Sequence, residues 1–234
     1  MNYVFTPPAQ VGIPVAAAES NAGLFPVHRI YCVGRNYAEH AQEMGFTGRE
    51  PPFFFLKPAD ALVPVAEGET GVIDYPSLTA NLHHEIELVV AIGHGGRDIA
   101  AARAANHIWG YATGLDMTRR DLQGEQKKLG RPWCIGKTFD EACPIGAITP
   151  AAQAGDIEKA EIWVQVNGKD RQRSDVSKLI WNIGEIIEHV SAAWELRPGD
   201  LIYTGTPEGV AAVVPGDTME GGVAGLTSIS LKVV

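Results

Sequence analysis

Two carboxylates one residue apart, Glu85 and Glu87, sit in the apolar run His84-Glu85-Ile86-Glu87-Leu88-Val89-Val90. Side chains alternate across a strand, so both glutamates leave one face while Ile86, Leu88, Val90 and Ile92 leave the other. Carboxylates crowded on a largely buried strand repel each other, and a metal cation stabilises both as ions. A solvated Glu-x-Glu strand edge is the competing reading. A third carboxylate, Asp116, stands where Tyr111-Ala112-Thr113-Gly114-Leu115 runs out, a strand end able to bring its oxygens beside the pair. Oxygen-only ligation by Glu85, Glu87 and Asp116 suits Mg²⁺ or Mn²⁺, with waters or substrate completing an octahedron, and argues against zinc. His83 and His84 do not open an H-E-x-x-H helix, because Leu88 occupies the fourth position after His84, so they are read as supporting residues.

His40 and Glu43 lie three apart in a helix that Asn36 and Glu39 would cap, so the carboxylate can orient the imidazole to activate water. The glycine-bounded lead-in Gly34-Arg35-Asn36 and the low apolar content of this segment suggest an element above a site rather than a core helix. Arg120, Gln123 and Lys127 recur at helical spacing after Asp116. Arg120 and Gln123, nearest the strand end, are placed to hold a substrate carboxylate or keto oxygen, and Lys127 belongs to a solvated face. Lys137, next to Gly136 after an apolar run, can bring an ammonium to a developing oxyanion. Thr204-Gly205-Thr206-Pro207 is a turn whose hydroxyl and backbone N–H suit an anion.

The elements that must position these residues alternate helix and strand without a βαβ rhythm. Ile30 to Val33, Phe53 to Leu56, Leu62 to Val65, His84 to Ile92, Trp109 to Leu115, Leu201 to Thr204 and Ser228 to Val233 read as strands. Asp98 to His107 and Met117 to Leu129 read as helices, the second ended by Gly130. Ile162 to Val166, the Asn167-Gly168 dipeptide and Lys169 to Arg173 make a hairpin with a type I′ turn. Ile183, Ile186, Ile187, Val190 and Trp194 form the apolar stripe of one amphipathic helix on a sheet. Residues 1–27, rich in Pro and Gly, are expected to be an irregular arm before a single domain over 28–234.

At 234 residues with 45% apolar, the chain can bury a core without disulfides, and a membrane span is excluded because no apolar stretch nears the roughly 20 residues a bilayer requires. A formal charge of −9 supplies no basic field for phosphate backbones, so no nucleic-acid partner is expected. Cys32, Cys134 and Cys143, odd in number and without CxxC spacing, read as reduced, buried thiols. With no charged start to a secretory signal, a cytoplasmic location is expected.

Gly34-Arg35-Asn36-Tyr37-Ala38-Glu39-His40, Phe55-Leu56-Lys57-Pro58, His83-His84-Glu85-Ile86-Glu87-Leu88, Asp116-Met117-Thr118, Gly136-Lys137 and Leu201-Ile202-Tyr203-Thr204-Gly205-Thr206-Pro207 occur in the order seen in the fumarylacetoacetate hydrolase family, which the chain resembles over about residues 28–234. The resemblance implies an α+β fold, a mixed β-sandwich roll with peripheral helices, usually a homodimer. It implies Mg²⁺ or Mn²⁺ on Glu85, Glu87 and Asp116, a catalytic dyad at His40 and Glu43, and substrate contacts at Arg120, Gln123, Lys137 and Thr206.

The Pro-rich arm and Arg49 to Phe55 look most like the family's bacterial branch that cleaves fumarylpyruvate in aromatic-compound degradation. Ala59-Asp60 stands where acylpyruvase relatives often have Ser, which leaves substrate choice open. The implied reaction is hydrolysis of the carbon–carbon bond of a 3-acylpyruvate, fumarylpyruvate giving fumarate and pyruvate, with His40 activating water and Lys137 stabilising the oxyanion. Arg35, Arg49, Lys57 and Arg131 are candidates for the distal carboxylate. Oxaloacetate decarboxylation, isomerisation of a heptadienedioate, and a metal-stabilised binding module are the alternatives.

Overall fold

Strands rich in β-branched residues pair into mixed sheets that bury both faces of the segment carrying the glutamates. The computed structural model describes residues 2–16, 23–38 and 49–234. Its largest sheet runs in the order Phe53–Lys57, Ile30–Gly34, Leu201–Tyr203, Ile86–Ile92, Ile108–Leu115, Cys143–Gly146 and Leu62–Val65, with Thr149–Pro150 paired to Ile108–Leu115. Leu201–Tyr203 is parallel to Ile30–Gly34, and Cys143–Gly146 to Leu62–Val65; the remaining pairs are antiparallel. A second sheet orders Lys169–Asp175, Glu161–Val166, Thr218–Val223, Ile229–Val233 and Thr70–Ile73. Helices are few and peripheral, so the fold is α+β and dominated by sheet.

Ile86, Leu88, Val90 and Ile92 share one core with Ile162, Val164 and Leu231 of the second sheet. The opposite face, on which Glu87 lies, continues through Val89 and Ala91 into a second core with Cys32, Ala112, Cys143 and Tyr203. This second core explains why the glutamate face is dry rather than a wet edge. It also corrects the reading of the N-terminal arm as irregular. Gly12–Pro14 and Leu24–Pro26 pair antiparallel, and Ile13, Phe25 and Val27 cover the second core. Each strand is only three residues long, with its proline at the end, where the missing N–H costs least.

The Asn167-Gly168 hairpin forms as expected, with both turn residues at positive φ, 52° and 72°. The apolar stripe forms the helix Ile183–Ala193, which buries Ile183, Ile186, Ile187 and Val190; its Asn182–Glu185 capping box went unread in the sequence. Two helix expectations are corrected. Residues 101–107 wind as 3₁₀ turns, and Thr118–Arg119 is extended because it pairs with Leu82–His83, so the helix begins at Arg120 and ends at Lys128. Cys32 and Cys143 are buried free thiols, whereas Cys134 is exposed, contrary to expectation, because it opens the short surface helix Cys134–Lys137. No helix among the described residues is long and apolar enough to cross a membrane.

Candidate metal and substrate site

Strand pairing brings the three carboxylates together. Leu115 pairs with Ile86, and the Asp116 N–H donates to the Glu85 carbonyl at 2.8 Å, so the end of one strand is tied to the start of its neighbour. One oxygen from each of Glu85, Glu87 and Asp116 lies within 4.8 Å of the others, and all three side chains are buried. They line a cavity of about 20 Å³ with Arg35, Gln123, Lys137 and Thr206. A space of that size holds one water or one ion.

The charges around the triad are unevenly shared. Lys137 Nζ lies 2.7 Å from Glu85 Oε2 and 2.6 Å from Asp116 Oδ2, and Arg120 donates to the other Glu85 oxygen. Burial opposes a charge on Lys137, but Asp116 and Glu85 outweigh it and hold its pKa above the ordinary lysine value, so it stays an ammonium. Glu87 accepts only the Gly205 N–H, at 2.7 Å, and forms no ion pair among the described residues. Burial, then the neighbouring Asp116 and Glu85 carboxylates, push its pKa well above the ordinary carboxylate value. A divalent ion supplies the positive charge that Glu87 lacks, and three buried oxygens around an ion-sized space are the donor set of a hard cation. The residues present therefore fit Mg²⁺ or Mn²⁺.

The predicted neighbours are largely in place. Arg120 Nη1 donates to Gln123 Oε1 at 2.6 Å, which fixes the amide at the cavity wall. Gly136 lets the two helices touch: a Cβ there would stand 2.8 Å from the Gln123 backbone nitrogen. Lys127 is exposed, as read from the sequence. His83 is desolvated and faces Arg120, which lower its pKa to about 4, and His84 is buried with its pKa also lowered, so both are neutral and neither joins the triad. His40 and Glu43 lie outside the described residues. Asn36 spends its side chain on Trp181 and Thr204, accepting the Trp181 N–H and donating to both carbonyls.

Beside the small cavity is an open groove of about 580 Å³, lined by Phe53, Phe54, Phe55, Leu56, Arg131 and Trp133, among others. Arg35, Phe55 and Trp133 line both spaces. Arg35 has φ 57°, a left-handed backbone unusual for a residue with a side chain, and its guanidinium stands over Phe53 and Trp133 at 5.2 and 5.6 Å.

Four cations were candidates for a distal carboxylate, and the structure removes two. Arg49 pairs with Glu185 over the Trp181 ring. Lys57 is buried under the triad, donating to the Met117, Lys137 and Ala142 carbonyls. With its hydrogens so directed, Lys57 Nζ stands 2.8 Å from Asp116 Oδ1 as a charge, and that oxygen accepts no hydrogen bond. Sequence reasoning missed this supporting role. A lysine closing the strand Phe53–Lys57, on the same face as Phe55, was the available signal. Gln172 was missed altogether, because a polar residue on a hairpin arm carries no sign of what it meets, whereas the Gly205 N–H, read as part of an anion-binding turn, meets the Glu87 carboxylate.

A sheet-dominated α+β fold with a buried acidic triad, a lysine inside it and an adjoining groove defines a metal-binding enzyme site. The chain belongs to the fumarylacetoacetate hydrolase family: the family model for the fumarylacetoacetate hydrolase C-terminal region matches residues 29–234. It is similar to a crystal structure of fumarylpyruvate hydrolase from Pseudomonas aeruginosa in complex with Mn²⁺ and pyruvate, with 56% identity, a TM-score of 0.96 and coverage of 100% of this chain and 99% of the other. It is 48% identical over 185 residues to fumarylpyruvate hydrolase of Ralstonia, covering 79% of this chain and 93% of that one. It is 44% identical over 204 residues to human mitochondrial oxaloacetate tautomerase FAHD1, covering 87% and 90%. Family and relatives place the chain among enzymes that hydrolyse carbon–carbon bonds.

Proposed function

We propose that the chain hydrolyses a 3-acylpyruvate, and specifically fumarylpyruvate to fumarate and pyruvate. The observation that carries this reading is the meeting of two spaces at Arg35: an ion-sized, acidic cavity and a groove lined by aromatic side chains. Such a pair suits a molecule with a 2-keto carboxylate head and a flat acyl tail ending in a second carboxylate. Glu85, Glu87 and Asp116 would hold Mg²⁺ or Mn²⁺, which supplies a Lewis-acid centre for the head. Arg120 and Gln123 orient the head at the cavity wall, and Thr206 donates to it. His40, turned by Glu43, takes a proton from water, which attacks the distal ketone. Lys137, kept charged by Glu85 and Asp116, stabilises the oxyanion that forms. The oxyanion collapses and breaks the carbon–carbon bond, the electron pair leaves on the pyruvate carbon, which takes up the proton His40 removed from water, and fumarate and pyruvate result while Arg35 holds the tail carboxylate throughout. The working form in this proposal is a cytoplasmic homodimer.

A second reading keeps the cavity and ignores the groove. Oxaloacetate, whose four carbons end near the head, would be tautomerised at the same residues, as the name of the human relative suggests, or decarboxylated there. Product analysis by NMR with purified protein and Mg²⁺ separates the two. Equimolar fumarate and pyruvate from fumarylpyruvate supports hydrolysis. Turnover of oxaloacetate with no fumarate released from fumarylpyruvate overturns it.

A further inference from the structure

Gln172 lies on the strand Lys169–Asp175, at the edge of the second sheet, yet it is buried while its neighbours Arg171 and Arg173 are exposed. Its side chain crosses to the loop that follows Leu201–Tyr203 in the main sheet. The loop comes this close because Gly209, at φ 90°, packs where a Cβ would fall 2.2 Å from the Arg171 carbonyl oxygen.

Four hydrogen bonds fix the orientation of the Gln172 amide. Oε1 accepts the Ile86 N–H at 3.1 Å and the His84 Nδ1 hydrogen at 2.9 Å, while Nε2 donates to the Pro207 carbonyl at 2.7 Å and to Thr206 Oγ1 at 2.8 Å. A flipped amide would set N–H against the Ile86 N–H and oxygen against the Pro207 oxygen, so only one orientation is possible. Because Oε1 can only accept, His84 carries its hydrogen on Nδ1. Because both Nε2 hydrogens are used, Thr206 Oγ1 is an acceptor in its bond to Gln172.

The Thr206 hydroxyl therefore has its own hydrogen to give, and no acceptor among the described residues takes it. Thr206 is buried and lines the cavity with Glu85, Glu87 and Asp116. We infer that Gln172 is a positioning residue that makes Thr206 a one-way donor into the cavity, selecting an anionic oxygen of the bound keto acid over a protonated enol oxygen. This rests on the reading above that the keto-acid head binds beside the triad. The chain Ile86–Gln172–Thr206 also ties the strand of the glutamates to the loop that contacts the head, so ligand donor and metal ligands share one support.

The test is a double-mutant cycle read as the dissociation constant of oxalate, a mimic of the keto-acid head, for the Mn²⁺-loaded protein by calorimetry. Thr206→Val removes the donor, and Gln172→Glu offers a carboxylate that captures the hydroxyl hydrogen and turns it away. Each is expected to weaken oxalate binding roughly tenfold or more, the range for a hydrogen bond to a charged group. The double variant is expected to bind no worse than Thr206→Val alone. Gln172→Met, which neither donates nor adds charge, covers failure of Gln172→Glu to fold; its effect on oxalate should likewise vanish in the Thr206→Val background. Additive losses, or unchanged binding in Thr206→Val, overturn the role given to Gln172. Absence of oxalate binding to the Mn²⁺-loaded wild type would instead sink the functional reading on which it rests.

Discussion

Glu87→Gln should raise the stability of the metal-free protein and lower its response to metal, a pair of effects with opposite signs. Among the described residues Glu87 is buried without an ion pair of its own, while Glu85 has Arg120 and Lys137, and Asp116 has Lys137 and Lys57. Its folded pKa is raised above the ordinary value of 4.5 by burial and by its two acidic neighbours. A carboxyl raised in this way stabilises the fold below its unfolded pKa and loses that contribution as pH rises through the folded value. At pH 8 without metal, the wild type must either hold a proton against the solvent or bury an uncompensated charge. Glutamine keeps the acceptor for the Gly205 N–H and removes the charge. An uncompensated buried charge costs several kcal/mol, so a gain of about 2 kcal/mol is expected, or about 4–8 °C in Tm for a domain of this size. At pH 5 the gain should be smaller than at pH 8, because lowering the pH favours the neutral form of a carboxyl whose pKa is raised. With Mn²⁺ at a hundred times its Kd, the wild type gains about 2.7 kcal/mol, whereas the variant, short of one ligand, gains much less. Scanning fluorimetry at pH 5 and 8, with chelator and with Mn²⁺, reads all four states. A variant less stable than wild type in chelator at both pH values, or one with an undiminished Mn²⁺ shift, would refute the reasoning.

Four further outcomes follow. His40→Ala should lower kcat for fumarylpyruvate by 10² or more while Mn²⁺ affinity, measured by calorimetry, stays within about threefold, since His40 is not in the triad; near-normal turnover removes it as the base. Lys57→Met strips a charge from Asp116 and takes a donor from three buried carbonyls, of which that of Ala142 keeps the Met117 N–H, so a loss of about 3–5 kcal/mol is expected, and a Tm within 3 °C of wild type contradicts the buried role. Arg35→Gln should cut the ratio of kcat/KM for fumarylpyruvate over acetylpyruvate roughly thirtyfold, about 2 kcal/mol, and more than Arg131→Gln does; an unchanged ratio removes Arg35 from the distal subsite. His83 should titrate near pH 4 by NMR in the metal-free protein. Its folded pKa lies below the ordinary 6.5, so the stability it contributes is present above pH 6.5 and falls away toward pH 4; a midpoint at 6.5 would show it to be solvated.

What the sequence made legible was whatever depends on near neighbours. Alternation in Ile86–Ile92 put Glu87 opposite the main core, the Asn167-Gly168 pair announced its hairpin, and the stripe from Ile183 announced its helix. Asp116 was legible because strand ends recur at adjacent places in a sheet. What stayed hidden depends on partners far along the chain: Lys57 meets Met117, Lys137 and Ala142, and Gln172 meets His84 and Thr206. A lysine closing the run Phe53-Phe54-Phe55-Leu56 and a glutamine between two arginines look like surface residues until the sheets are assembled. The N-terminal ribbon was hidden for a different reason, since prolines that forbid a long strand still permit two of three residues each.

The account stands on Glu85, Glu87 and Asp116 sharing one divalent ion. A crystal soaked with Mn²⁺ and oxalate, with diffraction recorded near the manganese edge, tests that most directly. The predicted result is one strong anomalous peak within coordination distance of an oxygen from each of the three carboxylates, with oxalate on its open side. A peak elsewhere, or three carboxylates with Lys137 alone between them at saturating Mn²⁺, would contradict it.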